Sequence, residues 1–473
     1  MIVKHFFVKK IAHSSYMLLG KRSAIVIDPV RDVDEYIEEA RNYGISITHI
    51  LETHLHADFI SGHMELAART GAEIYAPLKG KCKFKHSAVR EGDEIRVEDI
   101  LIKVVETPGH TPEHLSYVVS DTSRGQDPFG VFCGDTLFVG DVGRPDLFPE
   151  ISKELAGQLY DSLFGKLMKL PDFCEVYPAH GAGSLCGRAM GAKWRSTIGY
   201  ERKYNTALQF YDKKEFIRSL TTNMPPAPDH FSKCSDVNRT GPALLKNLPE
   251  PEILDVKEFK KRSGNKNTLI LDTRTYNSFG GQHIPGSINI DLEGNFPTFA
   301  GWVIPQDKKV LLVIDSHEKC SDIVKWLNRI GIDNIEGYLA GGMFEWARSG
   351  METAHVHQLS AKELYSEMNG KRKDFVLIDS RAEGEFNTQN IKGSINIPAP
   401  DMRTRYKELD KKLTYALICS TGHRSSLAAS ILKTKGFNNV LNAAGGITGY
   451  ANAGYVPECR VCINIHGSRY HND

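Results

Sequence analysis

Residues 53–59 read T-H-L-H-A-D-F, and this stretch decides how the first part of the chain is read. His54, His56 and Asp58 recur at every second position, the spacing that puts side chains on one side of an extended strand end. Three more metal-capable residues follow in order: His110 in T-P-G-H-T, Asp135 in C-G-D-T-L-F and His180 in Y-P-A-H-G. A lone histidine is ordinarily a satisfied core or surface residue. Imidazoles and carboxylates recurring in this order point instead to a metal centre. Phe59 closes the run, and a phenyl ring has no lone pair to give.

H-x-H-x-D with these downstream partners resembles the metallo-β-lactamase superfamily over roughly residues 1–200, except that Phe59 stands where that pattern has a last histidine. The resemblance implies an αββα sandwich. In the two-metal hydrolases of the superfamily, the positions of His54, His56 and His110 hold one metal. Those of Asp58, the missing histidine and His180 hold a second, and that of Asp135 bridges. Phe59 removes a ligand from the second site, so one metal is favoured. The pattern is similar to that of the superfamily's persulfide dioxygenases. By that resemblance His54, His110 and Asp135 bind iron, one Fe(II) per chain. His56, Asp58 and His180 then orient the ligands and hydrogen-bond bound water or oxygen. Two imidazoles and a carboxylate with open positions suit non-haem Fe(II), but the same donors can hold Zn(II), which stays open as the alternative. Arg144, in V-G-R-P-D, stands where dioxygenase relatives place an arginine against the thiol substrate's carboxylate.

A chain of 473 residues is too long for one ordinary core and suggests about three domains. Lys+Arg total 59 against 58 Asp+Glu, so no net field points to nucleic acid or to a membrane surface. No apolar run approaches the roughly 20 residues that span a bilayer. The opening M-I-V-K-H-F-F-V-K-K reads as a first strand, not a signal peptide. Nine cysteines, an odd count, argue for reduced thiols in a cytoplasmic protein rather than a disulfide framework.

Strand-like runs such as S-A-I-V-I-D-P and I-T-H-I-L-E-T alternate with helical stretches at 32–43 and 62–70, and terminal helices are expected near 193–218. The proline-rich stretch 221–251 reads as a long surface connection. An internal repeat follows. L-I-L-D-T-R-T-Y-N-S-F-G-G-Q-H-I-P-G-S-I-N-I at 269–290 is echoed by V-L-I-D-S-R-A-E-G-E-F-N-T-Q-N-I-K-G-S-I-N-I at 376–397. Each copy continues with an apolar strand (310–315, 415–419), a helix, a Gly-Gly pair and an aromatic residue, Trp346 or Tyr450. This alternation means parallel α/β sheets. Both copies resemble rhodanese domains, over roughly 252–352 and 356–462. The expected division is therefore 1–250, 251–352 and 353–473.

In the second copy Cys419-Ser420-Thr421-Gly422-His423-Arg424 follows a buried strand and precedes a helix starting near Ser425. Successive backbone N–H groups and a helix N-terminus make a cradle that favours an anionic sulfur. Gly422 permits the turn and Arg424 adds positive charge at the rim. Rhodanese sulfurtransferases have a six-residue loop of this kind, and related phosphatases carry one residue more. Cys419 is thus the expected nucleophile, Arg424 acts beside it, and Ser420 to His423 bind the transferred group. In the first copy Asp315 takes the place of Cys419, Glu318 that of Gly422 and Cys320 that of Arg424. A carboxylate cannot accept a sulfane sulfur, so this copy is read as a spacer or docking domain without catalysis.

The resemblances together imply an enzyme that oxidises a low-molecular-weight thiol persulfide with O2 to sulfite and thiol. Cys419 could then carry sulfane sulfur to that sulfite, giving thiosulfate. Two alternatives stay open: a zinc thioester hydrolase of the glyoxalase type joined to a sulfurtransferase, and a tandem binding module for a sulfur-carrier protein. A homo-oligomer is expected. Cys459 and Cys462, in C-R-V-C, form a lone C-x-x-C, which is weak evidence for zinc and reads better as a reducible thiol pair or a coincidence.

Overall fold

The computed structural model describes residues 1–456 except 189, 223, 225, 226 and 371; Cys459 and Cys462 lie outside the described residues. The described residues form two compact units, 1–248 with 328–331, and 249–327 with 332–456.

The first unit is built on two six-stranded sheets. Strands Ile2–Val8, His13–Leu19, Ser23–Ile27, Ser46–Leu51, Glu73–Pro77 and Ser87–Val89 form one sheet in chain order. The other contains Glu94–Val97, Ile100–Glu106, Leu115–Asp121, Gly130–Gly134, Glu175–Pro178 and Ser196–Thr197. Strand alternation sorts the core. In Ser23–Ile27, Ile25 and Ile27 join Tyr16, Leu18, Ile102, Phe132 and Tyr177 between the sheets. Ala24 and Val26 point the other way, to Tyr36, Ala40 and Leu66 of helices Asp34–Asn42 and His63–Thr70. Val118 and Val131 of the second sheet face Leu159, Leu163 and Phe216 of helices Ser152–Gly165 and Lys213–Thr221. Both faces of each sheet are covered, which is why these strands read as continuous apolar runs. The layers are those of the expected αββα sandwich.

The second unit holds two five-stranded sheets, each wholly parallel. Their spatial orders are equivalent: Glu252–Leu254, Ile335–Leu339, Lys309–Val313, Thr268–Asp272, Ile288–Asn289, and His357–Leu359, Val440–Ala443, Thr414–Ile418, Phe375–Asp379, Ile395–Asn396.

Three expectations need correction. The 53–59 run is not extended: its strand ends at Leu51 and the chain bends through the motif. The bends are pinned where Asp28 accepts from the Thr53 amide and Glu113 from the Leu55 amide. Second, 221–251 is more than a surface connection. It contains helix Phe231–Thr240, which buries Phe231, Cys234 and Asn238. Third, the helix after Cys419 begins at His423, not near Ser425, because Gly422 at φ 111° already turns the chain into it.

Candidate active sites

Loops at strand ends bring the metal-capable residues together. Gly130–Gly134 delivers Asp135, Glu175–Pro178 delivers His180, and the loop after Ile100–Glu106 carries His110. The alternating motif is divided among three buried donor groups: His54 with His110 and Asp135, Asp58 with His180 and Cys186, and His56 with Asp28 and Glu52.

The first group is arranged to bind a cation. Nε2 of His54 and of His110 lies 3.8 and 3.3 Å from Asp135 Oδ2, and neither nitrogen has a hydrogen-bond partner although both residues are buried. Their partners fix the tautomers. Nδ1 of His110 donates to the Arg144 carbonyl at 2.8 Å, and a carbonyl can only accept. Thr53 Oγ1 donates to Asp28, so at 2.9 Å it accepts from His54 Nδ1. Both rings therefore present an Nε2 lone pair, and burial lowers both pKa values, favouring the neutral form a ligand needs. Burial opposes charge on Asp135, but the imidazoles of His180 and His110 outweigh it and hold the carboxyl well below its usual range. Two neutral imidazoles, one carboxylate and orphaned buried Nε2 atoms fit a metal cofactor.

His180 donates through Nδ1 to Asp135 at 2.7 Å and sets Nε2 2.9 Å from Asp58. Burial disfavours its charge, yet the two carboxylates raise its pKa well above the ordinary value. Phe59 is fully buried, packed on His13 and His56 in the apolar core behind the first sheet. Cys186 instead approaches Asp58 and His180, its thiol pushed up to about 12 by burial. His56 Nε2 lies 3.2 Å from Asp28 Oδ1, apart from the first group. Arg144 is buried, with Nε and Nη2 donating to Asp146 and Nη1 to the Leu185 carbonyl.

Sequence reasoning missed two positioning residues. His114 Nε2 accepts from the Asp135 amide at 2.9 Å, and burial lowers its pKa to about 3, keeping that acceptor available. The fit requires Gly134, since a β-carbon there would meet His114 Nε2 at 2.5 Å and Thr53 Oγ1 at 2.6 Å. Asn238 donates to the His56 and Phe59 carbonyls and accepts from the Ser61 amide, each at 2.8 Å, so it clamps the motif loop. T-P-E-H carried a signal for His114; the prolines around 225–251 hid the helix bearing Asn238.

In the second unit Cys419 is buried at the end of Thr414–Ile418. The Gly422 amide donates to its Sγ at 3.1 Å and Ser425 Oγ at 3.4 Å. Helix His423–Thr434 starts at once, and its leading amides have no intrahelical acceptor. Gly446 lets the Gly-Gly turn close on this loop: a β-carbon there would sit 2.3 Å from the Cys419 carbonyl oxygen. Arg424 is not an unpaired rim charge. Nη1 and Nη2 donate to Glu385 at 2.5 and 3.0 Å, and Nη2 to Ser420 Oγ at 2.6 Å. Thr421 is exposed, and His423 is half-buried against Asp291 at 3.0 Å. In the first copy Asp315 is exposed and its nearest cation is Lys319 at 3.9 Å.

The metallo-beta-lactamase superfamily matches residues 9–180 and the rhodanese-like domain matches 255–349 and 360–453. A metallo-beta-lactamase of Staphylococcus aureus is 35% identical and superposes with a TM-score of 0.64, over 72% of this chain and 99% of that one. The chain belongs to the metallo-β-lactamase superfamily and carries two rhodanese-like domains. It is 37% identical over 157 residues to a hydroxyacylglutathione hydrolase of Rhodospirillum rubrum, covering 33% of this chain and 56% of that enzyme. The chain thus spans little more than half the length of that relative. The mitochondrial persulfide dioxygenase ETHE1 of Mus musculus is 28% identical over 235 residues, 49% of this chain and 84% of that protein. No helix among the described residues is long and apolar enough to cross a membrane.

Proposed function

We propose that the protein is an iron-dependent persulfide dioxygenase coupled to a sulfurtransferase, acting in the cytoplasm on a low-molecular-weight thiol persulfide. The observation that carries this reading is the pairing of a convergent His54–His110–Asp135 donor group with a phenylalanine, Phe59, turned into the core where a second metal would need a histidine. The similarity to a persulfide dioxygenase supports it. Fe(II) bound by the three residues would supply the one centre able to take part in O2 chemistry. The chain's own groups do the rest. His114 and Arg144 fix the ligands through the Asp135 amide and His110 Nδ1, and His180 holds a proton between Asp135 and Asp58. The net reaction is RSSH + O2 + H2O to RSH + sulfite + 2 H+. Arg144 would meet a substrate carboxylate only by sharing or leaving Asp146.

Cys419 then carries sulfane sulfur, and sulfite made at the first site is its acceptor, giving thiosulfate. A sulfur-carrier protein is the alternative acceptor. The functional division is 1–250, 251–352 and 353–473. One observation favours a second reading, a zinc thioester hydrolase: Cys186 brings a third donor to Asp58 and His180, and hydroxyacylglutathione hydrolases are among the relatives. Oxygen uptake by anaerobically purified, iron-loaded protein on addition of glutathione persulfide tests the proposal. Uptake matched by the sum of sulfite and thiosulfate supports it; thioester hydrolysis with no uptake favours the hydrolase.

A further inference from the structure

The first repeat reaches the Cys419 loop with side chains the second repeat lacks. Asp291 follows S-I-N-I in the first copy, where the second copy has Pro398. Its side chain is only 1% exposed and takes three donors: the Tyr276 amide at 3.0 Å, the Glu293 amide at 2.9 Å and Nδ1 of His423 at 3.0 Å. Two backbone amides hold the carboxylate, so it can set the His423 ring without moving itself. Tyr276 stands edge-on to that ring at 5.3 Å. Its Cζ lies 2.9 Å from the place a β-carbon on Gly422 would take, so the phenol lies against the turn of the loop. The dock is continuous along the helix behind: Asn289 donates its amide to Ser430 Oγ at 3.0 Å and accepts from Ser426 Oγ at 2.7 Å.

Asp291 need not hold the fold of its own repeat together, because the second repeat folds the same way with proline there. Beyond the two amides of its own repeat, the one group this buried carboxylate reaches is a half-buried histidine inside the sulfur loop. With Nδ1 committed to Asp291, Nε2 is the ring nitrogen left to a substrate.

We infer that the repeat without a nucleophile completes the sulfur-transfer site of the other. Asp291 is a positioning residue that fixes His423 toward a small oxyanion acceptor, and Tyr276 walls the loop at Gly422 against bulky ones. The inference rests on Cys419 being the sulfur carrier. In the step concerned, the lone pair on the sulfur of sulfite attacks the terminal sulfur of the Cys419 persulfide. The new S–S bond gives thiosulfate, the old one breaks, and its electron pair leaves on the Cys419 thiolate. No oxidant or reductant is consumed, and Nε2 of His423 faces an acceptor oxygen.

The test uses the full-length protein, loaded anaerobically with glutathione persulfide and checked by mass spectrometry, with sulfite or glutathione as acceptor. Asp291→Asn keeps one acceptor oxygen, for the Glu293 amide, and replaces the oxygen shared by the Tyr276 amide and His423. It is expected to load Cys419 as the wild type does, but to raise the KM for sulfite about tenfold with kcat little changed, the loss of one charge-assisted hydrogen bond. Added to His423→Asn, it should raise KM no further, since it acts through that ring. Tyr276→Ala should raise the rate with glutathione relative to sulfite about fivefold, one lost steric barrier. An unchanged KM in Asp291→Asn, additive effects in the double variant, or loss of Cys419 loading in Asp291→Asn would overturn the inference. Wild-type protein that takes up no sulfur at Cys419 would instead overturn the sulfurtransferase reading beneath it.

Discussion

The two repeats of the second unit keep the same skeleton and differ where chemistry would occur. Asp272 and Asp379 each bind the arginine two residues on, Arg274 or Arg381, which also reaches the carbonyl of Gln282 or Gln389. Asn289 and Asn396 each donate to two carbonyls of that same turn. These bonded groups, buried except for the half-buried Asn396, shape both sheets, and both copies have them. The Arg424–Glu385 pair beside Cys419 has become Cys320 and Ser278 in the first copy, so both partners of the ion pair changed together. Asp315 lies exposed where Cys419 is buried. The two repeats share the groups that hold the fold and differ in the groups that would perform the reaction.

That contrast can be broken most directly at the two cysteines. Cys419→Ser should abolish persulfide on the protein, because a hydroxyl cannot carry sulfane sulfur, while Cys320→Ser should leave it intact; mass spectrometry after exposure to a sulfane donor decides. Asp315→Cys should stay unloaded, since Glu318 stands where the cradle needs Gly422. Sulfur mapped to residue 315 or 320 would show the first repeat to be competent.

Next in size is the ion pair that the second repeat alone possesses. Glu385→Gln leaves Arg424 largely buried opposite a neutral partner and should destabilise this repeat by about 3 kcal/mol, measured by denaturant unfolding. The same change at Glu383, outside the pair, should cost little.

A smaller effect is expected at the paired glycine turns. Gly446 and Gly342 have φ of 58° and 57°, so alanine strains both backbones alike. A β-carbon at Gly446 meets the Cys419 carbonyl at 2.3 Å, whereas at Gly342 the nearest atom, the Ile314 carbonyl, is 3.1 Å away. Gly446→Ala should therefore cost more than Gly342→Ala, by about 1–2 kcal/mol, and should slow loading of Cys419. Equal losses would mean that the turn does not support the loop.

The smallest effect is one of pH. Burial works against the charge on Glu385, but Arg424 overrides it and lowers its pKa in the folded protein. The stability it contributes is therefore complete above the usual glutamate range and disappears as pH falls through the lower folded value. Acid unfolding of the second repeat should shift toward neutral pH when Arg424 is replaced, and Cys320→Ala in the first should leave its acid transition in place.

Much of this was legible in the sequence because it is local. Strand and helix alternation and the six residues from Cys419 to Arg424 are carried by short spacings, and His54, His110 and Asp135 each stand in a short motif of their own. What escaped is long-range. His114, Asn238, Cys186, Glu385 and Asp291 are common residue types whose roles depend on partners elsewhere in the chain: 21 residues separate His114 from Asp135, and 182 separate Asn238 from His56. The bends after Leu51 defeated the period-two reading of the motif, because side-chain amide acceptors, Asp28 and Glu113, shape that loop. The helix Phe231–Thr240 was masked by the prolines on either side of it although its buried face clamps the site.

The central claim is that the first unit holds one iron at His54, His110 and Asp135 and uses it on a persulfide. It is tested most directly by measuring, on the same anaerobically purified sample, metal content and oxygen uptake with glutathione persulfide. One iron per chain, uptake of one O2 per sulfite plus thiosulfate formed, and loss of both iron and uptake in Asp135→Ala are expected. Two zinc ions per chain, with thioester hydrolysis and no oxygen consumed, would contradict it.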